Sequence, residues 1–160
     1  MMISNKTLVT LKNAGWYEGR TIDITDRVKF LEEKGFEVID SAKRFMEEFG
    51  DLKIKVERTR QDGTIRIVSH DTCIEEVVGI GDSSFFDISE YIDEKFTLIG
   101  AIFDANLYLY ISESGKLFDS MGWDGDNIWE AWENIINEKI TLPWDKYNKI
   151  IDDNIENVWR

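Results

Sequence analysis

The sole histidine of the chain, His70, stands between Ser69 and Asp71, which together are the residue types of a nucleophilic triad. Neighbours in a strand point to opposite faces, so a contiguous Ser-His-Asp does not converge, and a solvated or capping histidine is the expectation. Asp124-Gly-Asp-Asn127 offers carboxylates for a calcium loop. Met121 or Ile128 falls where that loop needs an oxygen ligand, and helix capping suits the segment better. Gly79-Ile-Gly-Asp82 has too few glycines to cradle a phosphate, and no lysine follows it. Cys73, a single cysteine, makes no internal disulfide and without Cys or His partners builds no zinc site, so a small buried or half-buried thiol is expected. The paired carboxylates Glu75-Glu76, Asp93-Glu94 and Asp152-Asp153 are sequence neighbours, which diverge by about 100 degrees on a helix. Acid–base hydrolysis would need a pair from distant segments, such as Asp119 with Glu90. No motif calls for a cofactor or a metal.

Recognition chemistry has better support than catalysis. Trp123, Trp129, Trp132, Trp144 and Trp159 crowd the C-terminal quarter, where acids are dense. Trp132 falls on an apolar helix face and reads as core. Trp123 lies in Ser120-Met-Gly-Trp-Asp-Gly-Asp-Asn127, which reads as a loop with Asp119, Asp124 and Asp126 around the ring. A tryptophan rimmed by carboxylates has the make-up of a protein interface for a basic partner. Glu130 extends this candidate surface, and an acidic helix carrying Asp87, Glu90 and Asp93 is the next one.

Net charge agrees. The chain carries −13 formally, with 19 Lys and Arg against 32 Asp and Glu. Residues 1–60 hold 12 basic and 11 acidic side chains, whereas residues 61–160 hold 7 and 21. Such a field repels phosphate backbones and anionic lipid, which argues against nucleic-acid and membrane binding, and it attracts a basic protein. No basic leader followed by an apolar run opens the sequence, and no run of about 18 apolar residues occurs, so a cytoplasmic protein is expected.

The elements that must position these groups follow from periodicity. Leu8, Leu11 and Ala14 mark a first helix ended by Gly15; a second runs from about Asp26 to Lys34 and stops at Gly35; a third covers Asp40 to Phe49, with Gly50 as its stop. The period then falls to 2 at Leu52, Ile54 and Val56, and Asp62-Gly63 turns the chain into a strand over Thr64 to Val68. Residues 71 to 95 read as loop, then helix through Phe86, Ile88, Tyr91 and Ile92. Three strands, 96–103, 105–112 and 115–121, are joined by turns short enough to require an antiparallel meander. Asn127 and Glu130 have capping-box spacing before a helix with Ile128, Trp132, Ile135 and Ile136 on one face. The only proline, Pro143, breaks the chain before a last helix from Asp145 to about Trp159. The expected fold is α+β: N-terminal helices, an antiparallel sheet of about five strands interrupted by a helix, and C-terminal helices, in one domain over 1–160.

Several stretches resemble a known family. Ala14-Gly-Trp-Tyr-Glu-Gly-Arg20, then Ala42 to Val56 with its Phe-Gly-Asp-Leu junction, and Leu98 to Ile136 are similar in order and spacing to the third family of the SUKH superfamily of bacterial immunity proteins. The likeness covers about residues 8 to 140 and leaves 142–160 as an unmatched helical tail. It implies a SUKH-like α+β domain without catalysis, encoded beside a polymorphic toxin and binding that cognate toxin domain; such toxins are frequently basic nucleases. The expected function is therefore an immunity protein that blocks its toxin by occlusion. The alternatives are a non-catalytic regulatory module using the same surface, and the carboxylate hydrolase. Within the opening motif, Gly15 is expected to end the helix and Trp16 to fold onto the core. Gly19 should turn the chain so that Arg20 reaches a carboxylate or a carbonyl.

Overall fold

The computed structural model describes residues 2–78, 88–139 and 141–158. Three helices, α1 (Asn5–Asn13), α2 (Thr25–Glu33) and α3 (Asp40–Phe49), precede a hairpin of β1 (Lys53–Thr59) and β2 (Ile65–Asp71). A short α4 (Ile74–Val78) and a 3-10 turn (Ile88–Glu90) lead into β3 (Phe96–Ile102), β4 (Leu107–Ser112), β5 (Leu117–Asp119) and β6 (Gly122–Gly125). Then come α5 (Ile128–Ile136), the two-residue β7 (Leu142–Pro143) and α6 (Trp144–Val158). All strands join one curled antiparallel sheet in sequence order, β1 to β7.

Seven strands replace the expected five, and the two additions have a physical reason. Gly-Trp-Asp-Gly is a poor strand sequence by propensity. It forms β6 because its glycines let other backbone approach: a Cβ on Gly122 would lie 2.0 Å from the Leu142 carbonyl oxygen, and one on Gly125 would lie 2.5 Å from the Ala131 nitrogen. β7 carries the proline that reads as a break, at the sheet edge where a missing N–H is tolerated. β2 runs three residues beyond Val68, to Asp71. The expected helix over 86–92 is only the 3-10 turn among the described residues, and α4 occupies part of the segment that reads as loop.

Helices α1 and α2 end alike. Gly15 (φ +113°) and Gly35 (φ +93°) take the left-handed conformation, and each closes a double hydrogen-bond lock: Trp16 N–H to Leu11 with Gly15 N–H to Lys12, and Phe36 N–H to Leu31 with Gly35 N–H to Glu32. Gly50 stops α3 differently. Its φ is −68°, and the left-handed residue is Asp51 (φ 60°). Glycine is needed at 50 because a Cβ there would sit 2.5 Å from the Met46 carbonyl oxygen.

The opening motif wraps the C-terminal end of α3. Trp16, 7% exposed, stacks on Phe49 at 6.2 Å and meets Trp129 of α5 edge-on at 5.4 Å. Its Nε1 donates to Glu48 Oε2 at 3.0 Å. After Gly19 (φ +81°), Arg20 donates to the Glu48 carbonyl at 2.6 Å, placing a cation on the negative end of the α3 dipole. Phe45, Phe49, Trp129 and Trp132 continue the cluster, and α3 packs on the central strands β3 and β4. Truncation at Trp16 should be costly. Trp16→Ala is expected to lose about 3 to 5 kcal/mol of unfolding free energy, the range for a buried large aromatic, read from urea denaturation followed by circular dichroism. A variant as stable as the parent would contradict the packing role.

Candidate functional site

The β5–β6 corner holds most of the first candidate surface, but it sorts the carboxylates in an unexpected way. Asp119 and Asp124 are 2% and 0% exposed, so neither lies on a rim that a partner could touch. Facing residues of paired strands explain this: Asp119 ends β5 opposite Gly122, and both acids turn into the hairpin. Asp119 Oδ1 accepts the N–H groups of Met121 (2.6 Å) and Gly122 (3.2 Å), which closes the tight turn. As two carboxylates the pair would have no donor between them, and both Asp124 oxygens would lack a partner. Burial, and then the charge and hydrogen bond of Asp119, push the Asp124 pKa well above its ordinary value. Asp119 is raised as well, by burial. Both shifts run in the direction that disfavours two bare charges side by side in this buried corner.

Trp123 belongs to β6, not to a loop, and is half-buried. Its Nε1 donates to Asp126 Oδ1 at 2.9 Å, and Asp126 is exposed. Glu130 serves the start of α5: its N–H donates to Asn127 Oδ1 (2.9 Å), while its own Oε1 accepts from the Asp126 N–H (3.0 Å). That reciprocal pair is a capping box displaced by one residue. The expected distant pair of Asp119 with Glu90 does not form, since Asp119 is buried and Glu90 is exposed on the 3-10 turn. Asp93 is exposed, and Asp87 lies outside the described residues.

A groove opens between the segment 91–94 and α6. It has a volume of about 520 Å³ and is lined by Tyr91, Ile92, Tyr147 and Ile151, with Asp93, Glu94, Asp152 and Lys116 among its charged groups. Its walls are fixed by rings: Trp144 of α6 stacks on Tyr91 at 4.6 Å and on Phe118 of β5 at 5.3 Å, and Tyr147 meets Phe118 edge-on at 5.4 Å. Trp144 is anchored further by its Nε1 to the Ser120 carbonyl (3.2 Å). Burial raises the pKa of the Tyr147 phenol, and the charges of Lys116, Asp126 and Glu94 also act on it. The available signal in the tail was Trp144, Tyr147 and Ile151 at helical spacing, which marks an apolar helix face but not what it lies against.

Two other clusters hold titratable groups. His70 is fully buried, not solvated: β2 continues past Val68 and carries it inside beside Phe103. Its Nδ1 accepts the Phe103 N–H at 3.1 Å, and burial, aided by Arg58, lowers its pKa to about 4, so it is neutral. Asp71, Cys73 and Glu76 bring one ligand atom each within 4.8 Å of one another. Burial and the Asp71 carboxylate push the Cys73 thiol up to about 12, and Glu76 is paired with Lys53 at 2.8 Å. A protonated thiol beside an already paired carboxylate is a poor donor set for a metal. Asp71 Oδ1 instead accepts the Cys73 N–H at 2.7 Å.

A sequence profile of the SUKH-3 immunity protein family matches residues 3–138. The chain belongs to that family. No curated protein and no solved structure matches it. As a SUKH-3 member it is an immunity protein, whose partner is a cognate toxin protein. The matched span ends before β7 and α6, so one wall of the groove is built by residues beyond the family profile. Among the described residues of this SUKH-3 protein, no helix is long and apolar enough to cross a membrane.

One acid that the sequence did not single out holds the two ends of the SUKH-3 span together. Glu133 of α5 is 2% exposed. Its Oε1 accepts the Ser4 N–H at 2.6 Å, and Oε2 accepts from Lys139 at 3.2 Å. Burial alone would raise its pKa, but hydrogen bonds from Thr7, Ser4 and Lys139 outweigh it and hold the carboxyl at about 2. Asn137 adds a bond to Thr7 Oγ1 at 2.9 Å.

Asp124 has the opposite linkage. Because its folded pKa lies above the unfolded value, the native state retains a proton that the unfolded chain has released. Its contribution is full below about pH 4 and falls as pH rises toward the folded pKa, then stays flat. Asp124→Asn retains a donor to Asp119 without a titrating proton. It should raise the stability at pH 7 relative to the parent and flatten the fall of melting temperature as pH rises above 4, measured by calorimetry on both proteins. An unchanged pH slope would show that the corner carries no such proton.

Proposed function

We propose that this SUKH-3 protein neutralises a basic toxin of the nuclease type by docking against it through its acidic C-terminal part and covering its working face. Charge distribution carries the reading. Of the 21 acids in residues 61–160, Asp119, Asp124 and Glu133 are buried. Removing these three from the count leaves 18 acids against 7 basic residues in this part of the sequence, still a strong negative excess. Basic active faces evolved to grip phosphate backbones are complementary to such a field. Members of a binding family need no catalytic group, and the acid pair Asp119 with Asp124 is sealed from solvent, which fits a non-catalytic protein.

The reading is tested with the toxin domain encoded beside this gene. Association measured by stopped flow should slow as salt rises. Two triple reversals, each changing net charge by the same amount, separate steering from bulk charge: Glu90→Lys, Glu113→Lys and Asp153→Lys in the acidic part, and Glu18→Lys, Glu32→Lys and Glu33→Lys in the neutral part. All six acids are exposed. The first triple is expected to cut the low-salt on-rate by about tenfold or more and the second by much less, within the range of electrostatic steering. Equal slowing would assign association to bulk charge alone. No complex with the parental protein would remove the reading.

A further inference from the structure

We infer that the groove between segment 91–94 and α6 is the contact surface for an arginine-bearing basic segment of the partner toxin. This rests on the immunity reading and assigns it a place. Three features of the groove select that occupant. Its floor is aromatic and aliphatic, from Tyr91, Tyr147, Ile92 and Ile151, and a guanidinium stacks on such rings while its edge meets carboxylates. Among the described residues its charged groups are Asp93, Glu94 and Asp152 against Lys116, a net of −2. Two of the acids are ready for a partner: Glu94 accepts from the Ser114 N–H at 2.8 Å, but Asp93 and Asp152 take no hydrogen bond or ion pair among the described residues. Both are exposed on opposite sides of the groove, so a cation entering it neutralises two carboxylates that take no ion pair among the described residues.

The surroundings extend the same character. A second open depression shares Ile92, Asp93 and Glu94 and runs on to Glu113, and the charge of Asp126 also acts on Tyr147. The walls are pre-organised: the Tyr91–Trp144–Phe118 stack pins α6 to the sheet and to the acidic segment at once, so little ordering cost remains at binding. α6 lies beyond the span shared with the SUKH-3 profile. A binding wall supplied by that added helix gives this chain a means of choosing its own toxin on a common scaffold.

The experiment compares Asp93→Asn with Asp152→Asn together against Glu32→Gln with Glu33→Gln together, two pairs of exposed acids that change net charge equally. The probe is the toxin domain encoded beside the gene, and binding is read by surface-immobilised kinetics and by protection from the toxin in cells. The groove pair should weaken the complex at least tenfold, chiefly through faster dissociation, because the lost pairs are desolvated in the complex. The control pair should change it less than twofold, and both proteins should melt like the parent. Equal small effects of the two pairs, with the parent still binding and protecting, would overturn the groove assignment while the immunity reading stands. A parent that neither binds nor protects would overturn that reading, and the groove with it.

Discussion

An excess of negative charge is the constraint that organises this protein. With 32 carboxylates and 19 basic side chains, ion pairing cannot satisfy every acid, and the fold divides them by environment. Inside, a carboxyl persists only if it is hydrogen-bonded or holds its proton. Glu133 takes the first course, ionised under the donors of Ser4, Thr7 and Lys139, and ties the start of α1 to α5. Asp124 leans to the second, since burial and the neighbouring Asp119 push its pKa well above the ordinary carboxyl value at the β5–β6 corner. What remains at the surface without a cation, Asp93 and Asp152 above all, is repulsion held in place by a rigid scaffold, and a basic partner relieves it.

That scaffold depends on the aromatic cluster at the end of α3. Trp16, Phe49, Trp129 and Trp132 join the N-terminal motif, α3 and α5, and Arg20 closes the helix end. A second ring cluster, Tyr91, Phe118, Trp144 and Tyr147, does the same for α6. The first lies within the SUKH-3 span and the second straddles its boundary, so the matched span and the helix beyond it are held by separate sets of ring contacts.

Much of this was legible in the sequence wherever one local rule acted alone. Gly15 and Gly35 stop helices by left-handed geometry, and the hairpin turn at Asp62-Gly63 and the box at Asn127 and Glu130 follow from local hydrogen bonding. Reading failed where distant backbone decides. Gly122 and Gly125 form a strand because Leu142 and Ala131 press against them, which no window around residue 122 reveals. Asp119, Asp124 and His70 looked solvent-facing because their types usually are; their burial depends on strand pairing and turn closure beyond their neighbours. The groove was hidden for a similar reason, since its acidic wall and its aromatic helix lie about 50 residues apart in the chain.

The central claim is that the acidic face across segment 91–94 and α6 covers the toxin. Hydrogen exchange on the complex with the toxin domain tests it most directly, because protection maps contact without any substitution. The account predicts slowed exchange in residues 88–95 and 144–153 on binding, with the β1–β2 hairpin unchanged. Protection confined to residues 53–71, with 88–95 and 144–153 exchanging as in the free protein, would contradict it.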